Sequence, residues 1–160
     1  MSVFRPTIGP QNDIRDWQED CSATAGPVSM TTNQKTILLV DDEEATRNYI
    51  RRELERGGHR VLAAKDFDDA VEAYHSHREI DLLLTDVALP GLSGCDLAIA
   101  LREENPELRV LLISGYTGAE LLQFYGVHLT DVHFVQKPFR PADLLQRVAY
   151  IFERYGFASA

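Results

Sequence analysis

The sequence predicts an α/β fold, a parallel sheet of five strands alternating with five helices that cover both faces. Three observations carry the prediction. Short apolar runs such as Leu82 to Leu84 show no polar alternation, as expected of strands buried on both sides. Those runs end in polar residues or in Gly- and Pro-containing loops. Between them lie longer stretches whose apolar residues recur at helical spacing.

The chain in order starts with residues 1–33, which carry Pro6, Pro10, Pro27 and several Ser and Thr residues but no strand-like run. A flexible N-terminal tail is expected there. Within it Asn12 or Asp13 could cap a short helix with Ile14, Trp17 and Cys21 on one face. Met30 precedes a short leader into the first strand, so translation could also begin at that residue.

Regularity begins with a buried strand, Thr36 to Val40, that runs into Asp41-Asp42-Glu43-Glu44. A helix is expected from Glu43 to Arg56, with Tyr49, Ile50 and Leu54 inward and Gly57-Gly58 as its stop. His59 to Lys65 reads as a strand, and Asp66 to about His77 as a helix with Phe67, Ala70, Val71 and Tyr74 on its apolar side. The third strand, Leu82 to Leu84, ends in Thr85-Asp86, and Pro90, Gly91 and Gly94 mark the loop after it. A helix from Gly94 to Asn105 is closed by Pro106. Arg109 to Ile113 is a strand ending in Ser114-Gly115, Thr117 to Tyr125 a weaker helix, and Val132 to Gln136 the last strand. It leads into Lys137-Pro138, and a final helix runs from Pro141 to about Tyr155. The expected organisation is a tail at 1–33, one domain at 34–156 and a short tail at 157–160, with no second folded domain.

Composition bounds the function. With 160 residues, 44% apolar and 26% charged, the chain suits one soluble globular domain. A formal net charge of −9 argues against direct binding to nucleic acid phosphates. The tail holds Arg5 and Arg15 against Asp13, Asp16, Glu19 and Asp20, so most of the acidic balance belongs to the domain. Cys21 and Cys95 make no disulfide framework and suit a reducing cytosol. No stretch approaches a membrane span and the N-terminus lacks a secretory core, so a cytoplasmic protein without membrane insertion is expected.

Chemistry gathers at the strand ends. In a parallel sheet all carboxyl ends share one edge, where open α/β sheets place their ligand sites. Asp41, Asp42, Asp86, Ser114 and Lys137 therefore converge despite their sequence separation. Three crowded carboxylates disfavour one another's ionisation unless a cation joins them. Magnesium suits them, being a hard ion held by one or two carboxylates with waters. Lys137 supplies a second positive charge and Ser114 a hydroxyl donor. Such a site stabilises an incoming phosphoryl group, with Asp86 as the nucleophile that forms an aspartyl phosphate.

Asp41-Asp42, Asp86-Val-Ala-Leu-Pro-Gly-Leu-Ser-Gly94, Ser114-Gly115 and Lys137-Pro138-Phe139 together resemble the receiver domain of two-component response regulators. Each motif is common alone; the four in this order, each at its own strand end, are specific. The resemblance covers about residues 35 to 155 and implies a flavodoxin-like, doubly wound fold with strand order 2-1-3-4-5. It implies a phosphorylation-dependent switch in which Asp86 takes its phosphoryl group from a histidine kinase or histidine phosphotransfer protein. Magnesium would be held by Asp42, Asp86 and the main-chain carbonyl of Ala88, with Asp41 assisting. Ser114 matches the switch hydroxyl, Lys137 the phosphate-contacting lysine and Phe134 the switch aromatic. Ala88 and Tyr116 fall where the family tunes phosphate loss, and neither is a polar group able to position water well. The output would be a protein contact or a relay step. Its downstream protein is unspecified, and a homodimer is one assembly open to it.

Plainer readings exist for each feature. Asp41 and Asp42 alone would serve as helix N-terminal charges, Ser114 as a turn residue, Lys137 as a solvated lysine and Phe134 as core. His75 and His77 lie two apart and are not expected to pair on a metal. A magnesium-dependent phosphatase of the haloacid dehalogenase type is the enzymatic alternative, but it wants Asp-x-Asp, and Asp41 is followed two later by Glu43. A degenerate receiver used only for binding is the third reading, and the intact Asp, Ser and Lys set speaks against it. Beyond its own phosphorylation and dephosphorylation, no enzyme activity is expected.

Overall fold

The computed structural model describes residues 34–77, 79–126 and 132–156. The expected tails at 1–33 and 157–160, with the Ile14, Trp17 and Cys21 stripe and Met30, lie outside those residues. The elements alternate as β1 (Thr36–Val40), α1 (Glu44–Arg56), β2 (Arg60–Ala64), α2 (Phe67–Ser76), β3 (Leu82–Asp86), α3 (Gly94–Glu104), β4 (Arg109–Ser114), α4 (Gly118–Tyr125), β5 (His133–Gln136) and α5 (Pro141–Gly156). All strand pairs are parallel and the order is β2-β1-β3-β4-β5. This is the expected doubly wound sheet.

Alternate strand residues point to opposite faces, and the interior strands are apolar on both. Ile37, Leu39, Leu82, Leu84, Leu111 and Ile113 meet Ile50 and Leu54 of α1 and Leu144, Val148 and Ile151 of α5 on one face. Leu38, Val40, Leu83, Val110 and Leu112 meet Ala70 of α2, Leu97 and Leu101 of α3 and Leu121 of α4 on the other. Fully burying one such leucine contributes about 1.5–3 kcal/mol, so the β1, β3 and β4 strands anchor both layers. The loops at their carboxyl ends are thereby held on a rigid base.

Three predicted helices begin one residue late because the polar residue taken as their first is the N-cap. Asp66 accepts the Asp69 N–H at 2.8 Å, and Thr117 forms a capping box with Glu120. Glu43 occupies the cap of α1 without a side-chain bond. Ser93 and Asp96 form a second capping box at α3. His59 and Lys65 flank β2 rather than extending it, and β5 starts at His133, one residue after Val132. One inward assignment is corrected: Tyr49 is 47% exposed. Ile50 and Leu54, four apart on one face, fill the contact of α1 with the sheet, and Tyr49 lies about 100° around the helix from Ile50.

Candidate functional site

The carboxyl edge of the sheet brings the predicted side chains together. Asp41 follows β1 and continues its ladder, donating its N–H to the Ala64 carbonyl at 3.2 Å. It is buried, and its Oδ1 accepts the Glu43 N–H at 2.8 Å. Asp86 ends β3, likewise buried. Its Oδ1 accepts the Ala88 N–H at 3.2 Å, and its Oδ2 accepts the Lys137 ammonium at 3.0 Å. Thr85 donates its hydroxyl to the Asp86 carbonyl at 2.9 Å, pinning the strand end. Lys137 is set by its own backbone, because its N–H donates to the Ser114 carbonyl at 2.8 Å. The Lys137-Pro138 peptide is cis.

Asp41, Asp42 and Asp86 each offer an oxygen, and these lie within 4.8 Å of one another. Among the described residues this is the one cluster of three or more His, Cys, Asp or Glu placed to share an ion. His75 instead pairs with Glu104 at 2.9 Å, and His77, beyond the end of α2, bonds the Ala73 carbonyl at 3.0 Å. As expected, the two histidines make separate contacts.

The charges are uneven. Burial pushes the Asp41 pKa up, and the neighbouring Asp86 charge adds to the rise against the Glu43 N–H. Burial opposes the Lys137 ammonium, but the Asp86 hydrogen bond and charge outweigh it and leave its pKa raised, with Asp41 and Glu43 contributing. Most telling is Asp41 Oδ2, which is buried and has no hydrogen-bond partner. A buried carboxylate oxygen without a partner is costly. An all-oxygen donor set with one such unsatisfied atom fits a hard divalent cation such as magnesium.

Ser114 is buried, and its Oγ accepts the Tyr116 N–H at 2.8 Å, which leaves its own O–H to donate elsewhere. Phe134 pairs with Leu112, two residues before Ser114 on β4, so Phe134 and Ser114 share a face. Phe134 is half-buried and packs on the core that includes Leu112 and Leu121. The Tyr116 ring rests against Phe124 and Tyr125 of α4, at centroid distances of 5.6 and 6.2 Å.

Two further residues shape this edge: Gly94, already part of the loop motif that begins at Asp86, and Arg47, which no motif singles out. Gly94 starts α3 so close to Asp86 that a Cβ there would stand 2.9 Å from both the Asp86 carbonyl carbon and Thr85 Oγ1. Arg47, on α1, donates its guanidinium to the Asp41 carbonyl at 2.7 Å. A trace of the second was available: a base near a helix N-terminus runs against the dipole.

A five-stranded parallel sheet in the order β2-β1-β3-β4-β5, with helices on both faces, defines the flavodoxin-like class of doubly wound folds. The family model for the response regulator receiver domain matches residues 37–149. The chain belongs to that family. It is 31% identical over 116 residues to the response regulator receiver protein CpdR of Brucella abortus, spanning 71% of this chain and 93% of that protein. It is 33% identical over 128 residues to the hydrogenase transcriptional regulatory protein HoxA of Cupriavidus necator, spanning 79% of this chain but 26% of the relative. The chain spans about half the length of several other curated relatives, which are transcriptional regulators. A crystal structure of a response regulator receiver protein from Sinorhizobium medicae superposes with a TM-score of 0.67 at 29% identity, covering 77% of this chain and 98% of that one. Receiver domains of this family are two-component signalling modules that bind magnesium at an acidic pocket and interact with histidine kinases or phosphotransfer proteins. No helix among the described residues is long and apolar enough to cross a membrane.

Proposed function

We propose that the chain is a phosphorylation-operated switch whose acceptor is Asp86. The observation that carries this reading is a buried carboxylate held by Lys137 at 3.0 Å, beside two further carboxylates that share its oxygen cluster. Phosphoryl transfer asks a protein for positioning and charge stabilisation more than for covalent chemistry. An Asp86 oxygen forms the new P–O bond as the P–N bond of a phosphohistidine breaks, and the departing electron pair stays on the donor imidazole. Lys137 then turns from the carboxylate to a phosphoryl oxygen, and the Ser114 hydroxyl donates to another. Asp42, Asp86 and the Ala88 carbonyl, with Asp41 assisting, would hold magnesium. Bound there, the ion neutralises charge on the phosphoryl oxygens.

In this reading residues 34–156 are the receiver, flanked by tails at 1–33 and 157–160. Ser114 and Phe134 act as the switch, because a new acceptor for the serine hydroxyl biases β4, and Phe134 packs on the same face. The phosphoryl donor is a histidine kinase or phosphotransfer protein. The output is a contact with a downstream protein or a relay step, since a net charge of −9 disfavours direct DNA binding. The protein has no enzyme activity beyond its own phosphorylation and dephosphorylation.

Incubation with acetyl phosphate and magnesium tests the assignment. The native chain should take one acid-stable, hydroxylamine-labile phosphoryl group. Asp86→Asn keeps the shape but lacks the nucleophile and should take none. Equal labelling of that variant refutes it.

A further inference from the structure

The geometry assigns Arg47, through its bond to the Asp41 carbonyl, as the positioning residue that aims the acidic cluster at its cation. The inference rests on the reading of Asp41, Asp42 and Asp86 as the magnesium site.

Asp41 is anchored on three sides. Its N–H is held by the Ala64 carbonyl at 3.2 Å, its Oδ1 by the Glu43 N–H at 2.8 Å and its carbonyl by Arg47 Nη1 at 2.7 Å. The fourth polar atom, Oδ2, is buried and left without a protein partner. Three anchors therefore fix where the free oxygen lies, on a carboxylate that shares with Asp42 and Asp86 a cluster offering one oxygen from each residue within 4.8 Å. The first two anchors draw on backbone groups, the Ala64 carbonyl and the Glu43 N–H, which any residue at those positions except a proline at 43 supplies. Arg47 is the anchor supplied by a side chain.

One bond there controls two carboxylates. The peptide between Asp41 and Asp42 is planar, so holding the Asp41 carbonyl also fixes the direction of the Asp42 amide and the place of its Cα, from which the side chain starts. Asp42 is exposed and depends on its backbone for placement. The bond is short and charge-assisted, the stronger kind. Arg47 is itself anchored by α1, its N–H donating to the Glu43 carbonyl at 2.9 Å. Helix α1 is packed on the sheet through Ile50 and Leu54. A rigid helix thus reaches back to the strand end that it follows.

Charge and position pull in opposite directions, which makes the proposal sharp. A guanidinium beside the site repels a divalent cation, so removing it by charge alone should tighten binding. Loss of positioning should weaken binding, and outer-shell groups that orient ligands typically contribute ten-fold or more to affinity. Positioning is the effect we assign.

The test is magnesium binding to the full chain by titration calorimetry, without phosphodonor. Arg47→Met should raise the magnesium Kd about ten-fold, and Arg47→Lys, which keeps a donor without the planar fork, should fall between it and native. In an Asp41→Asn background one of the two aimed carboxylates has lost its charge, so Arg47→Met should there cause a smaller fold-loss than in the native background. Native or tighter affinity in Arg47→Met, or the same fold-loss in both backgrounds, overturns the inference. Should Arg47→Met fail to fold by thermal unfolding, Arg47→Lys carries the test, and native affinity in it overturns the inference. Absence of magnesium binding by the native chain would instead sink the reading of the site, and with it the role of Arg47.

Discussion

Gly94→Ala should separate the geometry of Asp86 from the stability of the sheet. Position 94 opens α3, where alanine would ordinarily be preferred to glycine by about 1 kcal/mol. Here the added Cβ would stand 2.9 Å from the Asp86 carbonyl carbon and from Thr85 Oγ1, and closer still to the Asp86 carbonyl oxygen. Two of those three atoms are backbone and cannot rotate aside. The Gly94 N–H also donates to the Val87 carbonyl at 2.9 Å, which ties the helix start to the same loop. Relief requires α3 and the end of β3 to separate by on the order of 1 Å to regain ordinary contact. Overpacking of this kind costs about 1–3 kcal/mol, so after the propensity gain we expect a net loss of up to about 2 kcal/mol.

At its upper end that loss lowers the melting temperature by several degrees, up to roughly 10 °C for a domain of this size. The functional effect should be larger in proportion. A displacement of about 1 Å at a reacting group can cost on the order of a hundred-fold in rate, so phosphorylation by acetyl phosphate should slow far more than folding suffers. Gly115→Ala is the control, since a Cβ there meets nothing within 4 Å. Melting temperature and initial labelling rate, measured side by side for both variants, decide the matter. If Gly94→Ala labels at the native rate with native stability, the close approach of α3 to Asp86 is not what holds the acceptor.

Two further predictions concern acid stability and phosphate lifetime. Burial holds the His59 pKa below its ordinary 6.5, with Lys35 adding to the drop and Asp81 opposing it. Its ring packs on Phe152 at 5.5 Å and its Nδ1 is buried without a partner. The unfolded chain therefore binds the proton first, so stability should hold above pH 6.5 and decline as pH falls through the lower folded pKa. Urea midpoints at pH 7.5 and 5.5 should differ less in His59→Phe than in the native chain, and an equal difference would exclude His59 as a source. His133, also shifted down by burial and by Arg147 and Arg154, keeps part of the slope in both. For lifetime, exposed Ala88 has only a methyl group beside Asp86, and in-line hydrolysis needs a positioned water. Ala88→Asn should speed loss of label from the phosphorylated chain severalfold, and an unchanged time course would refute the water argument.

The sheet was legible because a strand buried on both faces leaves a signature that nothing else in this chain imitates. Thr36–Val40 and Leu82–Asp86 are short, apolar and bounded by polar ends, so both type and limits could be read. Helix starts were less legible. Asp66 and Thr117 satisfy helix N–H groups from outside the helix, and a polar residue at a boundary looks alike on either side of it. Tyr49 was misread because an amphipathic ring can face the core or the solvent, and Ile50 with Leu54 already filled the sheet contact.

The site divides along a different line. Asp41, Asp42, Asp86, Ser114 and Lys137 could be gathered from sequence because parallel topology sends every strand end to one edge, whatever the loops between them do. Arg47 and Gly94 act on backbone atoms, the carbonyls of Asp41 and Asp86, and every residue has a carbonyl. No residue pattern distinguishes the carbonyl that Arg47 holds, whereas Gly94 already stands in the motif that begins at Asp86. The side chains of such a site can therefore persist in a sequence while its aim is lost. A variant that keeps all five polar residues but alters position 47 or 94 should retain the charges and the nucleophile and still bind its cation or take its phosphate poorly. That separation follows from the chemistry: identity supplies charge and nucleophile, whereas the oxygen directions that a small hard cation demands are fixed by backbone held from a neighbouring helix.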